Sequence, residues 1–150
     1  MLKRIREMKD QDGFTLIELM VVVLIIAILI AIAIPTFLGL RERAQNRAAT
    51  SDLRNGLTAA KAFYTDGDTF TGFDEADGLA IEPSLAWNDG AGSVDDIGIR
   101  VALDNSVVLT HRSASDDWFC AMDVNGLSSV RSTPVGEATT AALCSDGTPV

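Results

Sequence analysis

The sequence predicts an α+β fold: one long N-terminal α-helix packed on a C-terminal antiparallel sheet of about four strands. Two patterns carry that prediction. Residues 14–64 keep helical character, apolar on every side as far as Leu40 and apolar along one stripe beyond it, whereas from Ile97 the apolar period drops to two. Length bounds the rest, because 150 residues leave room for one modest domain beside the apolar segment.

The first half of the helix is built on residues 19–34, a run with no charge and no hydrogen-bonding side chain, extended back to Phe14 and forward through Phe37, Leu38 and Leu40. Crossing a bilayer core takes ~20 helical residues, so the segment is long enough. Glu18 lies inside it. An ionised carboxylate at bilayer depth costs on the order of 2.5–3.5 kcal/mol on insertion scales, so it needs a partner or must snorkel to the interface. Pro35 lacks an amide hydrogen and crowds the preceding turn, and Gly39 adds slack nearby. Either a fixed bend or a yielding joint is expected there.

From Arg41 to about Tyr64 the helix turns amphipathic. Ala44, Ala48, Leu53, Leu57, Ala60 and Tyr64 form the apolar stripe, and Arg41, Glu42, Arg43, Gln45, Arg47, Asp52, Arg54 and Lys61 mark the wetter side. A helix from Thr15 to Tyr64 would span ~75 Å at 1.5 Å per residue. Asp66 and Gly67 supply the stop, glycine accepting left-handed geometry after a last turn.

Residues 65–96 read as a connecting loop, rich in glycine and acids, whose Phe70, Phe73, Leu79, Ile81, Leu85 and Trp87 are expected to tuck onto the sheet edge. Asp66, Asp68, Asp74, Glu75 and Asp77 invite a calcium reading and fail it. Thr71 stands where an EF-hand loop needs glycine, and no bidentate glutamate closes the loop. No metal site and no cofactor are expected.

In residues 97–150, Ile97, Ile99, Val101 and Leu103 alternate with Gly98, Arg100 and Ala102 as a half-buried strand. Asp104 and Asn105 make a turn, residues 106–111 a second strand and residues 118–122 a third. Asn125 and Gly126 are a strong hairpin signal leading to a fourth strand near residues 127–132. An irregular tail starts at Pro134 and Gly136. The two cysteines are either a disulfide tying that tail to the third strand or two separate buried thiols. Downstream of a membrane signal, an exported domain with a Cys120–Cys144 bond is favoured. Closing that loop of ~25 residues is worth about 3 kcal/mol on the chain-entropy model.

Charge and chemistry exclude several classes. The formal charge is −9; the first 13 residues are net +1, with Lys3, Arg4, Arg6 and Lys9 against Glu7, Asp10 and Asp12, so residues 14–150 carry −10. Such a body repels nucleic-acid backbones and anionic lipid heads, so no direct nucleic-acid binding is expected. His111 is the sole histidine. No Ser/His/Asp set, phosphate-binding glycine loop or metal-ligand spacing accompanies it, and no enzymatic centre is expected. The adjacent acids Asp95 and Asp96, and Asp116 and Asp117, would face opposite ways in strands.

Two cleavage sites compete near the N-terminus. Ala31, Ile32 and Ala33 form a small-x-small site that would release a secreted acidic binding domain, but the apolar run is long for a signal core and Glu18 would have no purpose there. A cut between Gly13 and Phe14 instead leaves the apolar helix on the mature chain.

The register of Lys9, Asp10, Asp12, Gly13 and Phe14, then an acid at Glu18, then an unbroken apolar helix containing Pro35, closely resembles the leader and N-terminal helix of type IV pilins and related pseudopilins. The resemblance covers about residues 3–64. It implies a leader of residues 1–13, a transmembrane and assembly helix of residues 14–40, an amphipathic half of residues 41–64, a connecting loop of residues 65–96 and a sheet with a disulfide-bounded C-terminal loop in residues 97–150. It further implies a prepilin peptidase cutting between Gly13 and Phe14 and methylating the Phe14 amine. Glu18 would pair with the Phe14 amine of a neighbouring subunit, and the helix around Pro35 and Gly39 would loosen on assembly. The implied protein is a structural, major pilin-like subunit that waits as a single-pass protein of the cytoplasmic membrane. An assembly platform and ATPase then build it into an extracellular homopolymer for adhesion, motility or DNA uptake. A pseudopilin of type II secretion is the nearest alternative.

Overall fold

Helix α1 runs from Leu16 to Gly67 in the computed structural model, which describes residues 13–133, Cys144 and residues 148–149. The expected leader, apart from Gly13, and the start of the expected tail at Pro134 and Gly136 lie outside the described residues. The chain divides into two compact units, residues 1–40 and 41–150.

In the first unit every side chain from residue 13 to residue 40 is exposed, including the large apolar ones. Among the described residues α1 is the one helix long and apolar enough to cross a membrane. So continuous an apolar surface is stable only against lipid or against other apolar chains.

In the second unit α1 buries Ala49, Thr50, Leu53, Gly56, Leu57, Ala59 and Ala60. Ala44 and Ala48, expected on that stripe, are exposed. At 3.6 residues per turn their positions fall on the far side of the helix from Leu53 and Leu57. The helix stop also moves. Gly67 is still helical, and Asp68 takes the left-handed conformation (φ 51°) and donates its amide to the Tyr64 carbonyl at 2.7 Å. Aspartate tolerates this geometry better than most side chains.

Six strands follow in chain order as a meander: β1 (Trp87–Asn88), β2 (Ile97–Leu103), β3 (Ser106–Arg112), β4 (Trp118–Val124), β5 (Leu127–Thr133) and β6 (Thr148–Pro149). All neighbours pair antiparallel except β1 and β2, which are parallel. The four expected strands are β2 to β5. Asn125 and Gly126, both at positive φ (53° and 84°), make the β4–β5 turn, whose twist matches that of the flanking strands.

The alternation expected in β2 breaks at a bulge. Ile99 pairs with Leu109 but Val101 pairs with Val108, so Arg100 is an extra residue and the register slips by one. Beyond the bulge it is Ala102, opposite Val107, that packs on the core, while Leu103 is exposed. A one-residue slip exchanges the two faces of a strand.

The main core joins Leu53, Leu57 and Ala60 of α1 to Ile97, Leu109 and Phe119 on one sheet face. A second, smaller cluster lies on the other face, where Val108 meets Cys120 and Cys144. Strand β3 is therefore buried on both sides, and five of its residues in a row, from Val107 to His111, are buried.

The connecting segment is not all loop. It holds a short helix, α2 (Glu75–Ile81), started by a reciprocal cap: the Asp74 carboxylate accepts from the Ala76 and Asp77 amides, and the Asp77 carboxylate accepts from the Asp74 amide. Phe70, Phe73 and Trp87 are buried as expected, but Leu79 and Ile81 stay exposed. So short a helix has one inward face, and Gly78 occupies it against the Trp87 ring, where an added Cβ would lie 2.5 Å from the ring. Gly78→Ala is therefore expected to overpack this contact and lower stability by about 1–3 kcal/mol, read as a lower denaturant midpoint by tryptophan fluorescence.

Candidate assembly segment

The N-terminus of α1 is closed by its own side chains. Thr15 precedes the first helical residue and its hydroxyl oxygen accepts the Glu18 amide at 3.2 Å. The Glu18 carboxylate returns to the Thr15 amide at 2.9 Å and the Thr15 hydroxyl at 2.7 Å. This is a capping box, and it places an anion where unpaired amides and the helix dipole favour one. Glu18 thus has a partner three residues away in the same chain. The signal for this threonine is in the sequence as Thr15-x-x-Glu18, the spacing that marks a helix start. Upstream of it Gly13 and Phe14 are non-helical and exposed.

Pro35 sits within α1, and the helix continues through it. Its missing amide leaves the Ala31 carbonyl without the usual donor four residues on. One residue further, the Thr36 hydroxyl donates to the Ile32 carbonyl at 3.3 Å. Nothing lies within 4 Å of a Cβ built on Gly39, so glycine meets no steric demand from a neighbour there.

In the second unit, Cys120 and Cys144 form a disulfide across 24 residues, both fully buried, pinning residue 144 to the sheet face opposite α1. His111 is buried, its Nδ1 2.8 Å from the Asp96 carbonyl oxygen and its Nε2 3.6 Å from the Asp52 carboxylate. It joins α1, β3 and the segment before β2. Asp116 and Asp117 lie in the β3–β4 turn rather than in a strand. Asp116 pairs with Arg112, and Asp117 accepts from Asn46 of α1 at 2.7 Å. Among the described residues no three His, Cys, Asp or Glu side chains gather as a metal site.

Among the described residues of this unit Asp123 is the buried carboxylate, 2% exposed and 3.1 Å from the Lys61 ammonium. It also accepts from the Ser128 hydroxyl at 2.7 Å and the Gly126 amide at 2.9 Å. Burial, the largest influence, pushes its pKa up. The Ser128 hydroxyl, the Lys61 ammonium and the Gly126 amide together outweigh burial and hold the carboxyl below its ordinary 3.8.

Relatives among known proteins cover up to 80% of the chain. Residues 8–34 match the family model described as a prokaryotic N-terminal methylation motif. The type IV major pilin protein PilA of Myxococcus xanthus is 46% identical over 70 residues, 47% of this chain and 32% of that protein. Fimbrial protein Q of Moraxella bovis is 30% identical over 139 residues, 77% of this chain and 88% of its own length. The type II secretion system core protein G of Vibrio cholerae is 32% identical over 80 residues, 53% of this chain and 55% of that protein. The chain thus spans about a third of the Myxococcus pilin and nearly all of the Moraxella one.

Two outcomes follow from the geometry. Thr15→Ala should speed hydrogen exchange at the Glu18 amide in detergent micelles while leaving amides near Ile25 unchanged. In the second unit, the stability that Asp123 contributes is complete above its ordinary pKa and is lost as pH falls through its lower, folded value. Acid titration of stability should therefore show a decline below about pH 5 that Asp123→Asn flattens.

Proposed function

The chain belongs to the type IV pilin and pseudopilin family, and from that premise we propose that it is the major structural subunit of an extracellular filament. A prepilin peptidase cuts between Gly13 and Phe14 and methylates the new amine of Phe14. The precursor is held in the cytoplasmic membrane by residues 14–40, and an assembly platform with its ATPase lifts it into a helical homopolymer. The observation that carries this reading is the exposed apolar stretch of residues 14–40, helical from Leu16 and headed by one acid.

The geometry supports a two-stage role for Glu18. In the lone subunit its carboxylate is satisfied by Thr15. In the filament it exchanges that local bond for the Phe14 amine of a neighbour, a full positive charge in an apolar surround. Removing one partner of such a buried pair typically costs ~3–5 kcal/mol, so the pairing sets the axial register of each arriving subunit. The carbonyl left free at Ala31 makes the helix near Pro35 the place where it yields as subunits pack. A head that carries a buried disulfide suits the outside of the cell, where thiols stay oxidised.

A secretion pseudopilin remains the second reading, favoured by the similarity to core protein G. A major pilin is preferred because names of major pilins and fimbrial proteins prevail among the relatives.

Two measurements test the proposal. Mass spectrometry of the mature chain should find a methylated Phe14 at the N-terminus; a start at Ile34 would instead make this a secreted domain. Glu18→Ala, processed normally, should assemble about tenfold fewer fibres by electron microscopy, a loss of at least 1.4 kcal/mol in assembly. Fibres as abundant as the parent's would remove Glu18 from the mechanism.

A further inference from the structure

Charge in the second unit is sorted by flank. Arg43, Arg47, Arg54 and Lys61 are all exposed on α1. Their spacings of four, seven and seven, at about 100° per residue, gather them into a band roughly 40° wide. That band runs beside the buried stripe of Leu53 and Leu57, on the side of β5. There Lys61 bonds Ser128 and pairs with Asp123, and a groove between helix and strand is lined by Arg54, Leu57, Thr58, Lys61, Ser129 and Val130.

The opposite flank of α1 carries the other sign. Gly56 and Phe63 turn that way to meet Trp87 and Phe73 of the connecting segment. From residue 62 to residue 99 the sequence holds nine Asp and Glu and no Lys or Arg. On this acidic flank α2 exposes Leu79 (51%), one turn on from the exposed Glu75 and on the same helix face.

We propose that these two flanks are the halves of one contact between copies of this chain. The acidic segment around α2 of one copy seats on the basic stripe and groove between α1 and β5 of the next. The inference rests on the filament reading above. Different surfaces on the two sides make the contact head-to-tail, the kind that repeats without closing and builds a helical stack. Opposite charges set the register, and Leu79, flanked by the acids, adds an apolar contact against the groove. A polyanion would meet the same stripe against the net −10 of residues 14–150. The chain's own acidic segment brings matching charge and matching apolar area together.

The test is a charge exchange in the full-length chain, expressed with its assembly machinery, with sheared fibres counted and leader processing and membrane level measured in parallel. Arg43→Glu with Arg47→Glu alters two arginines that have no ion-pair partner among the described residues. Asp66→Lys with Glu75→Lys alters the other side at two exposed positions. Each pair alone should give about tenfold fewer fibres, and the four changes together should restore most of the loss. Normal fibres from either pair, or no recovery in the combined chain, would overturn the contact. So would normal fibres that have lost only the ability to bind DNA, which would assign the stripe to a polyanion. If the parent chain itself builds no fibres, the subunit reading fails; if it does and the reversed chains do too, only the contact fails.

Discussion

An acid inside an apolar helix needs a hydrogen-bond donor or a cation wherever the helix goes, and that requirement at Glu18 shapes the first unit. Here the donors are the amide and hydroxyl of Thr15, so the carboxylate is satisfied without any second chain. The same bonds close the helix end, which otherwise leaves its first amides unpaired. If the proposed pairing with a neighbour's Phe14 amine holds, Glu18 gives assembly a driving force while Thr15 keeps the lone subunit satisfied. The apolar run behind it, exposed along its whole length, needs lipid or other helices throughout.

The second unit meets a different constraint, that of building a core with few large residues on the helix. Ala49, Gly56, Ala59 and Ala60 bring the helix backbone close to the sheet, and the bulk comes from Trp87, Ile97, Leu109 and Phe119 opposite. The helix is then bound to the hairpins by polar contacts at intervals: Asn46 to the β3–β4 turn, Asp52 to His111, Lys61 to Asp123 beside the β4–β5 turn. Of these, Asp123 is the deepest, and its carboxylate is saturated by donors.

Much of this architecture was legible in the residues. The two helical regimes, the change to a period of two at Ile97, and the Asn125 and Gly126 turn each reflect a local rule that tertiary packing did not override. The Arg100 bulge was not legible, because nothing in Ile97 to Leu103 says which residue a partner strand will skip, and that one choice moved Ala102 inward and Leu103 outward. Helix α2 was hidden for another reason. Its acids read as a solvated loop, whereas Asp74 and Asp77 use their carboxylates to start a helix. At the assembly segment the acid drew attention to its cost, and the same letters, Thr15 to Glu18, also spelled the local remedy.

The outermost strands β1 and β6 are two residues long each. A sheet ending in such stubs presents little free backbone for another sheet to extend. In the proposed filament, where subunits would stand side by side at very high local concentration, so short an edge strand would limit sheet-to-sheet pairing between neighbours.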